Sequence, residues 1–191
     1  MKSKIKLAYW LVSHCKTQNH REDFAKELQR YIPVDIYGGC GPFKFMKRGS
    51  AHWAKHERKT LMMKYKFYLA FENTNCKDYI SEKLFHHMGH GVVPIVMGGG
   101  NYSDILPKHS YIDVKDFESA KALADYLKHL DKNNGEYLKY FEWTKNYHWY
   151  VKLARCELCR KLNDPTEPYK SYENFTQWWF YDENGNPQCE S

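Results

Sequence analysis

Lys66-Phe67-Tyr68-Leu69-Ala70-Phe71-Glu72-Asn73-Thr74-Asn75-Cys76-Lys77-Asp78-Tyr79-Ile80-Ser81-Glu82-Lys83-Leu84 is an apolar run that stops abruptly at an acid and an amide. A short polar loop follows, and Ser81-Glu82-Lys83 opens an amphipathic segment reaching about Gly89. The pattern is that of a buried strand, Lys66 to Phe71, delivering polar groups to a cleft, with a helix starting beside them. In open α/β sheets, ligands sit outside the carboxyl ends of strands and near helix N-termini. Any strand-loop-helix connection shares part of this layout. The density of Glu, Asn, Asp, Tyr and Lys in so short a span marks this one as a ligand site.

Working outward, Ile5 to Val12 is a second continuous apolar run, read as a buried strand. Asn19 to Tyr31 reads as a helix with Phe24, Leu28 and Tyr31 on one face. Asn19 is its expected cap, with Glu22 completing a capping-box-like pair. Pro33 to Tyr37 is a short strand before the turn Gly38-Gly39-Cys40-Gly41-Pro42. Lys44 to Ser50 reads as loop and Trp53 to Tyr65 as a basic helix. Gly91 to Met97 is a strand whose Pro94 lacks a ladder donor, so it is expected to be irregular or at an edge there. Gly98-Gly99-Gly100 breaks the chain and permits a ligand close to the backbone. A last strand covers Tyr111 to Val114. The stripe Phe117, Ala120, Leu123, Ala124, Leu127, Leu130 defines a helix with Asp116 as its expected cap, and another helix covers Asn134 to Trp143. Strands alternating with helices predict an α/β domain, a Rossmann-like parallel sheet with flanking helices, over residues 1–146. Residues 147–191 read as a helical and irregular extension whose tail from Glu173 is peripheral.

The 191 residues fit one domain with an appendage. A formal net charge of +6 favours anionic partners. No long Lys/Arg block occurs, so a local phosphate site is favoured over a nucleic-acid surface. An aromatic content of 17%, mostly Tyr, suits a cleft for sugars or bases as well as a core. No run is long enough to cross a bilayer, and Met1 to Ser13 reads as a strand rather than a signal peptide. A chain beginning so near a core strand is expected to be a fragment or a truncated gene model. Six cysteines permit disulfides without dictating their pairing.

Several side chains in the opening stretch could carry chemistry. Lys83 at a helix start is a point charge suited to a diphosphate, or else a solvated surface lysine. Glu82 and Glu72 could accept hydrogen bonds from sugar hydroxyls or favour an oxocarbenium-like centre, or else cap helices. Asn73 could hold a ribose or sugar hydroxyl, or simply form a turn. Tyr79 could meet a sugar or a phosphate, or be half-buried packing. Arg21 could grip a diphosphate bidentately, or be an ordinary helix-surface arginine. His86 and His90 have a metal-compatible spacing without a third ligand, and Cys156-x-x-Cys159 lacks a second ligand pair, so no metal site is expected. No Walker, dinucleotide or Ser-His-Asp pattern is present.

These residues, in this order, resemble the α1,3-fucosyltransferases of glycosyltransferase family ten. The resemblance runs through Trp10-Leu11-Val12-Ser13, Arg21, Val34-Asp35-Ile36-Tyr37-Gly38, Phe67 to Asn73, Asp78 to Leu84, Val93 to Val96, Asn101-Tyr102, Ser110-Tyr111-Ile112, Asp116-Phe117 and Tyr137 to Trp143. His14 stands where that family usually has Asn, and Gly99-Gly100 where Pro and a basic residue are common. The resemblance implies the C-terminal, donor-binding half of a GT-B enzyme, with the N-terminal half, membrane anchor and stem lying outside this chain. It implies inverting transfer of L-fucose from GDP-fucose to N-acetylglucosamine of a glycan or glycoprotein, in the Golgi lumen, with no nucleic-acid partner. By the family pattern Arg21 and Lys83 hold the diphosphate, Asn73, Tyr79 and Glu82 hold ribose, phosphate or fucose, and Arg21, Glu82 and Lys83 serve catalysis. The general base belongs to the other half. No tightly bound cofactor is implied, and manganese is compatible with the fold but not required. The isolated chain is expected to be inactive in transfer. The alternative is a catalytically inactive nucleotide-sugar-binding fragment or remnant. Cys156 and Cys159 match a family pair that bonds to the other half; loop placement alone, not the resemblance, suggests Cys40 with Cys76 as a local pair.

Overall fold

The apolar run of the opening stretch is the central strand of a parallel sheet in the computed structural model, which describes residues 4–43, 59–148 and 154–190. The strands are β1 (Lys6–Leu11), β2 (Val34–Tyr37), β3 (Tyr65–Phe71), β4 (Asn75–Cys76), β5 (Val93–Met97), β6 (Ile112–Asp113) and β7 (Cys189–Glu190). Five of them form one sheet in the order β2-β1-β3-β5-β6, every neighbouring pair parallel. β4 and β7 form a separate antiparallel pair.

All seven residues of β3 are buried, which is why it reads as a continuous apolar run rather than an alternating one. The period-2 alternation of its side chains still sorts them between two cores. Phe67, Leu69 and Phe71 join Ala8, Trp10, Val93 and Ile95 on one face. That face is covered by α1 (Arg21–Gln29) through Ala25 and Leu28, and by α3 (Ala120–Lys132) through Leu123, Ala124, Leu127 and Leu130. Tyr68 and Ala70 face the other way, against Leu84 of α2 (Glu82–Phe85), Met88, Tyr102 and Trp143. The result is a three-layer α/β/α domain, the Rossmann-like arrangement expected from the alternation of elements.

Several local expectations are corrected. Asn19 does not cap α1; His20 does so in a left-handed conformation (φ 50°) without a side-chain bond, while Glu22 accepts from the Thr17 backbone and hydroxyl at 3.0 and 2.8 Å. Ser119, not Asp116, caps α3, accepting from Ala122 N. The helix predicted to reach Gly89 has only four residues. The one predicted over Asn134 to Trp143 is α4 (Asn134–Lys139) followed by a 3₁₀ turn, Glu142–Lys145. β5 is an interior strand, yet β6 begins opposite Ile95, so Pro94 has a ladder partner only on the β3 side, at Tyr68. Of the predicted Trp53 to Tyr65 helix, residues 59–64 are helical and Tyr65 already belongs to β3. Residues 53–58 and the predicted loop Lys44 to Ser50 lie outside the described residues.

The Cys40–Cys76 pairing is also corrected: Cys15 bonds Cys40, and Cys76 bonds Cys189. The first bridge joins the segments that follow β1 and β2. The second joins the β4 loop to β7, so the chain terminus pairs with the loop that follows β3. Cys156 and Cys159 are free thiols.

The chain divides into two compact units, Met1–Asn146 with Cys189–Ser191, and Tyr147–Gln188. In the second, α5 (Ala154–Leu162) carries Arg160, which pairs with Glu157 and Asp164. α6 (Phe175–Phe180) is capped by Asn174 and presents exposed aromatic rings. Among the described residues no helix is long and apolar enough to cross a membrane. Because Leu69 is fully buried between β1, β5 and the helices, Leu69→Ala should cost about 2–5 kcal/mol in urea unfolding without changing the slope of the transition.

Candidate functional site

The strand order reverses at β1: α1 leads from β1 to β2 on one side, and β3 lies on the other. A doubly wound sheet opens a crevice at such a switch point, outside the carboxyl ends of the strands. Two junctions meet there, the β1–α1 connection and the loop from β3 to α2.

Arg21, the first residue of α1, is 2% exposed and aimed at that crevice. Its Nη1 donates to the Phe71 carbonyl at 2.6 Å and its Nη2 to the His14 carbonyl at 3.0 Å, so one guanidinium bridges both junctions. The indole of Trp10 lies 5.5 Å from the guanidinium carbon. Burial pulls Arg21 below the usual arginine range, opposed by the charges of Glu22 and Glu72 and by Tyr68 and Tyr79. Arginine nonetheless stays protonated. Nε–H finds no partner among the described residues. Asn19, the missed contributor, sends Nδ2 to the Glu72 carbonyl at 3.0 Å and to Asn75 Oδ1 at 3.1 Å. The first junction therefore holds the second by its backbone.

Glu72 follows β3 and continues the Tyr68 and Ala70 alternation, which directs it toward α2. Its carboxylate is 1% exposed and receives three donors. Oε1 accepts from Ser81 N at 2.7 Å; Oε2 accepts from Ser81 Oγ at 2.8 Å and from Lys83 Nζ at 2.9 Å. Lys83 Nζ also donates to Ser81 Oγ at 2.8 Å, and its side chain keeps 22% exposure. Below, buried His87 stacks on Tyr68 at 3.6 Å and its Nδ1 meets the Lys83 carbonyl at 2.9 Å. Asn73 is half-buried, and its Oδ1 has no partner among the described residues. The loop turns at Asp78, in the left-handed region at φ 59°, and presents Tyr79 at 37% exposure.

Residues 1–178 match the family described as glycosyltransferase family 10 (fucosyltransferase), C-terminal. The chain belongs to glycosyltransferase family 10. Alpha-(1,3)-fucosyltransferase C of Drosophila melanogaster is 43% identical over 179 residues, covering 93% of this chain and 41% of that protein. Glycoprotein 3-alpha-L-fucosyltransferase A of the same species is 42% identical over 182 residues, covering 93% of this chain and 35% of that protein. The crystal structure of an alpha1,3-fucosyltransferase with GDP-fucose shares the fold with a TM-score of 0.58 at 24% identity, over 72% of this chain and 38% of that one. The chain thus spans less than half the length of these relatives, and the sheet is the C-terminal half of the GT-B arrangement.

Of the five residues that the family resemblance points to, Arg21, Asn73, Tyr79 and Lys83 gather around the carboxyl end of β3. Glu82 is exposed at the first position of α2 and makes no ion pair among the described residues. A four-residue helix adds little dipole, so the positive character of the second junction rests on Lys83. Glu72 is the larger surprise. Its oxygens are occupied by Ser81 and Lys83, which makes it an internal counter-charge rather than a sugar ligand. His14, a departure from the family pattern, contributes a main-chain carbonyl, so its side chain does not matter to that bond. The glycines allow close approach, but of the chain to itself. A Cβ on Gly99 would stand 2.5 Å from the Cys76 carbonyl oxygen, and one on Gly100 would strike Ile80.

A cavity of about 390 Å³ adjoins the site beyond β5 and β6, lined by Gly99, Tyr102, Tyr111, Asp113 and Asp116. Burial raises the Asp113 carboxyl above the usual range and pushes the Tyr102 phenol up, the latter helped by Glu72 and Asp113. A cavity of about 500 Å³ lies at the amino ends of β1 and β3, bordered by Lys4, Lys6, Asp35 and Lys66. None of the five residues lines it, and it faces away from the crevice. No group of three or more His, Cys, Asp or Glu is placed to hold a metal ion among the described residues. Because Arg21 ties two junctions from a buried position, Arg21→Ala should lower stability by about 2–4 kcal/mol in chemical denaturation with no ligand present.

Proposed function

We propose that this chain is the donor-binding half of an inverting α1,3-fucosyltransferase that takes L-fucose from GDP-fucose to an N-acetylglucosamine hydroxyl of a glycan or glycoprotein. One observation carries the reading. In a chain of this family, Lys83 stands partly exposed at the end of β3 with a charge anchored from below, beside the junction that Arg21 locks. A cation so placed at a switch-point crevice suits a pyrophosphate. The GDP-fucose held by a structure of the same fold supports that donor.

In the proposed reaction the bond from the fucose anomeric carbon to the β-phosphate oxygen breaks, and the acceptor oxygen bonds to that carbon from the opposite face. The acceptor proton passes to a general base supplied from outside this chain. Negative charge develops on the departing GDP. Lys83 stabilises it directly, and Arg21 adds positive potential from within the crevice wall. Asn73 and Tyr79 face the nucleotide-sugar hydroxyls and phosphates, and Glu82 lies at the rim. No metal is required by this account. The two disulfides support an oxidising compartment, in keeping with a Golgi-lumenal enzyme anchored through a segment outside this chain.

The test is calorimetry with GDP. The 191-residue chain should bind it. Lys83→Ala should weaken binding by about tenfold or more, the worth of one charge-assisted contact. Unchanged GDP affinity in the folded variant would remove the assignment. Mixing this chain with GDP-fucose and an N-acetylglucosamine-bearing acceptor should give binding without transfer, checked by mass spectrometry of the acceptor.

A further inference from the structure

The Glu72 carboxylate is answered by Ser81 N, Ser81 Oγ and Lys83 Nζ, all within 2.9 Å. The Ser81 hydroxyl has one proton, and that proton goes to Glu72. Its lone pairs then face Lys83, accepting from Nζ at 2.8 Å and from the backbone N at 3.4 Å. The carboxylate thereby fixes the hydroxyl's orientation, and together they hold the ammonium.

A lysine side chain is long, and ordering it costs rotamer entropy. Here the chain's own Glu72 and Ser81 place two of the three ammonium protons. The third is left for a ligand. The exposures agree with this division: 1% for the Glu72 side chain against 22% for that of Lys83, so the cation is the outward member of the pair. Only an acceptor at both oxygens can do this. A neutral amide would put an NH₂ group against one of the donor sets.

We propose that Glu72 is a positioning residue for donor binding, acting through Ser81 and Lys83 to present a preordered ammonium to one phosphate oxygen of the nucleotide sugar. The proposal rests on the reading of Lys83 as a pyrophosphate ligand and adds to it the device that orients that ligand. A carboxylate beneath the site would otherwise oppose an anionic donor. Its value lies in preorganisation, which lowers the ordering cost when the ligand arrives.

The experiment is a double-mutant cycle on the full chain, read as the GDP dissociation constant by calorimetry. Glu72→Gln should weaken GDP about tenfold in the parent chain, and should have little further effect in the Lys83→Ala background. An equal loss in both backgrounds would mean that Glu72 serves only the fold, and the proposal fails. Unchanged or tighter GDP binding by E72Q would mean that Glu72 merely neutralises Lys83, and the proposal fails again. If Lys83→Ala alone leaves GDP affinity intact, the underlying assignment of Lys83 falls, an outcome distinct from the other two. Should E72Q not fold by thermal melting, Ser81→Ala carries the same cycle. It removes only the bridging hydroxyl, and a loss of GDP affinity confined to the Lys83-containing background is again expected.

Discussion

A carboxylate that leaves a fully buried strand without reaching solvent must find its donors at once, and Glu72 is such a group. Burying an ionised carboxylate unpaired would cost several kcal/mol at least, on the order of what a whole domain has to spare. The donors come from a single short segment, Ser81 to Lys83, so the loop between Asn73 and Ile80 has to double back on the end of β3. Much of the surrounding architecture accommodates that return. Asn19 holds the Glu72 carbonyl, Asp78 supplies the left-handed turn, Gly99 and Gly100 make room for the loop, and Cys76 fastens it to the chain terminus.

The two cations of the crevice are consequently different in kind. Arg21 spends its donors on the main chain of both βα junctions and sits almost wholly inside the protein. It contributes position and potential. Lys83 is anchored from behind and keeps an exposed face. In a pyrophosphate-binding reading, one cation sets the geometry of the crevice and the other meets the ligand. This division of labour emerges from the buried contacts.

The sheet, its parallel sense and the faces of the long helices were legible in the chain. The β3 run and the α3 stripe each bury a continuous set of side chains, and their periods follow from backbone geometry alone. Polar assignments were less legible, because several partners compete for each group. Asn19 could have capped a helix but went to the Glu72 carbonyl, just after β3, across 53 residues of sequence. Asp116 and Ser119 both precede α3, and only the backbone path selects Ser119. Glu72 looked like a ligand because its donors were not visible as such, although strand parity already directed it toward α2.

Residue order by itself determined that a buried strand ends at Glu72-Asn73, that Arg21 and Lys83 open the segments after β1 and β3, and that the domain is an α/β sheet of this family. Hydrophobic periodicity and motif spacing are local properties, and they survive without coordinates. Tertiary structure alone decided that Cys15 meets Cys40 and Cys76 meets Cys189, that the glycines admit a loop, and that Glu72 serves Lys83. Those outcomes depend on which atoms fall within about 3 Å once the layers pack, and hydrogen bonds and disulfides are sensitive to a displacement that hydrophobic burial tolerates.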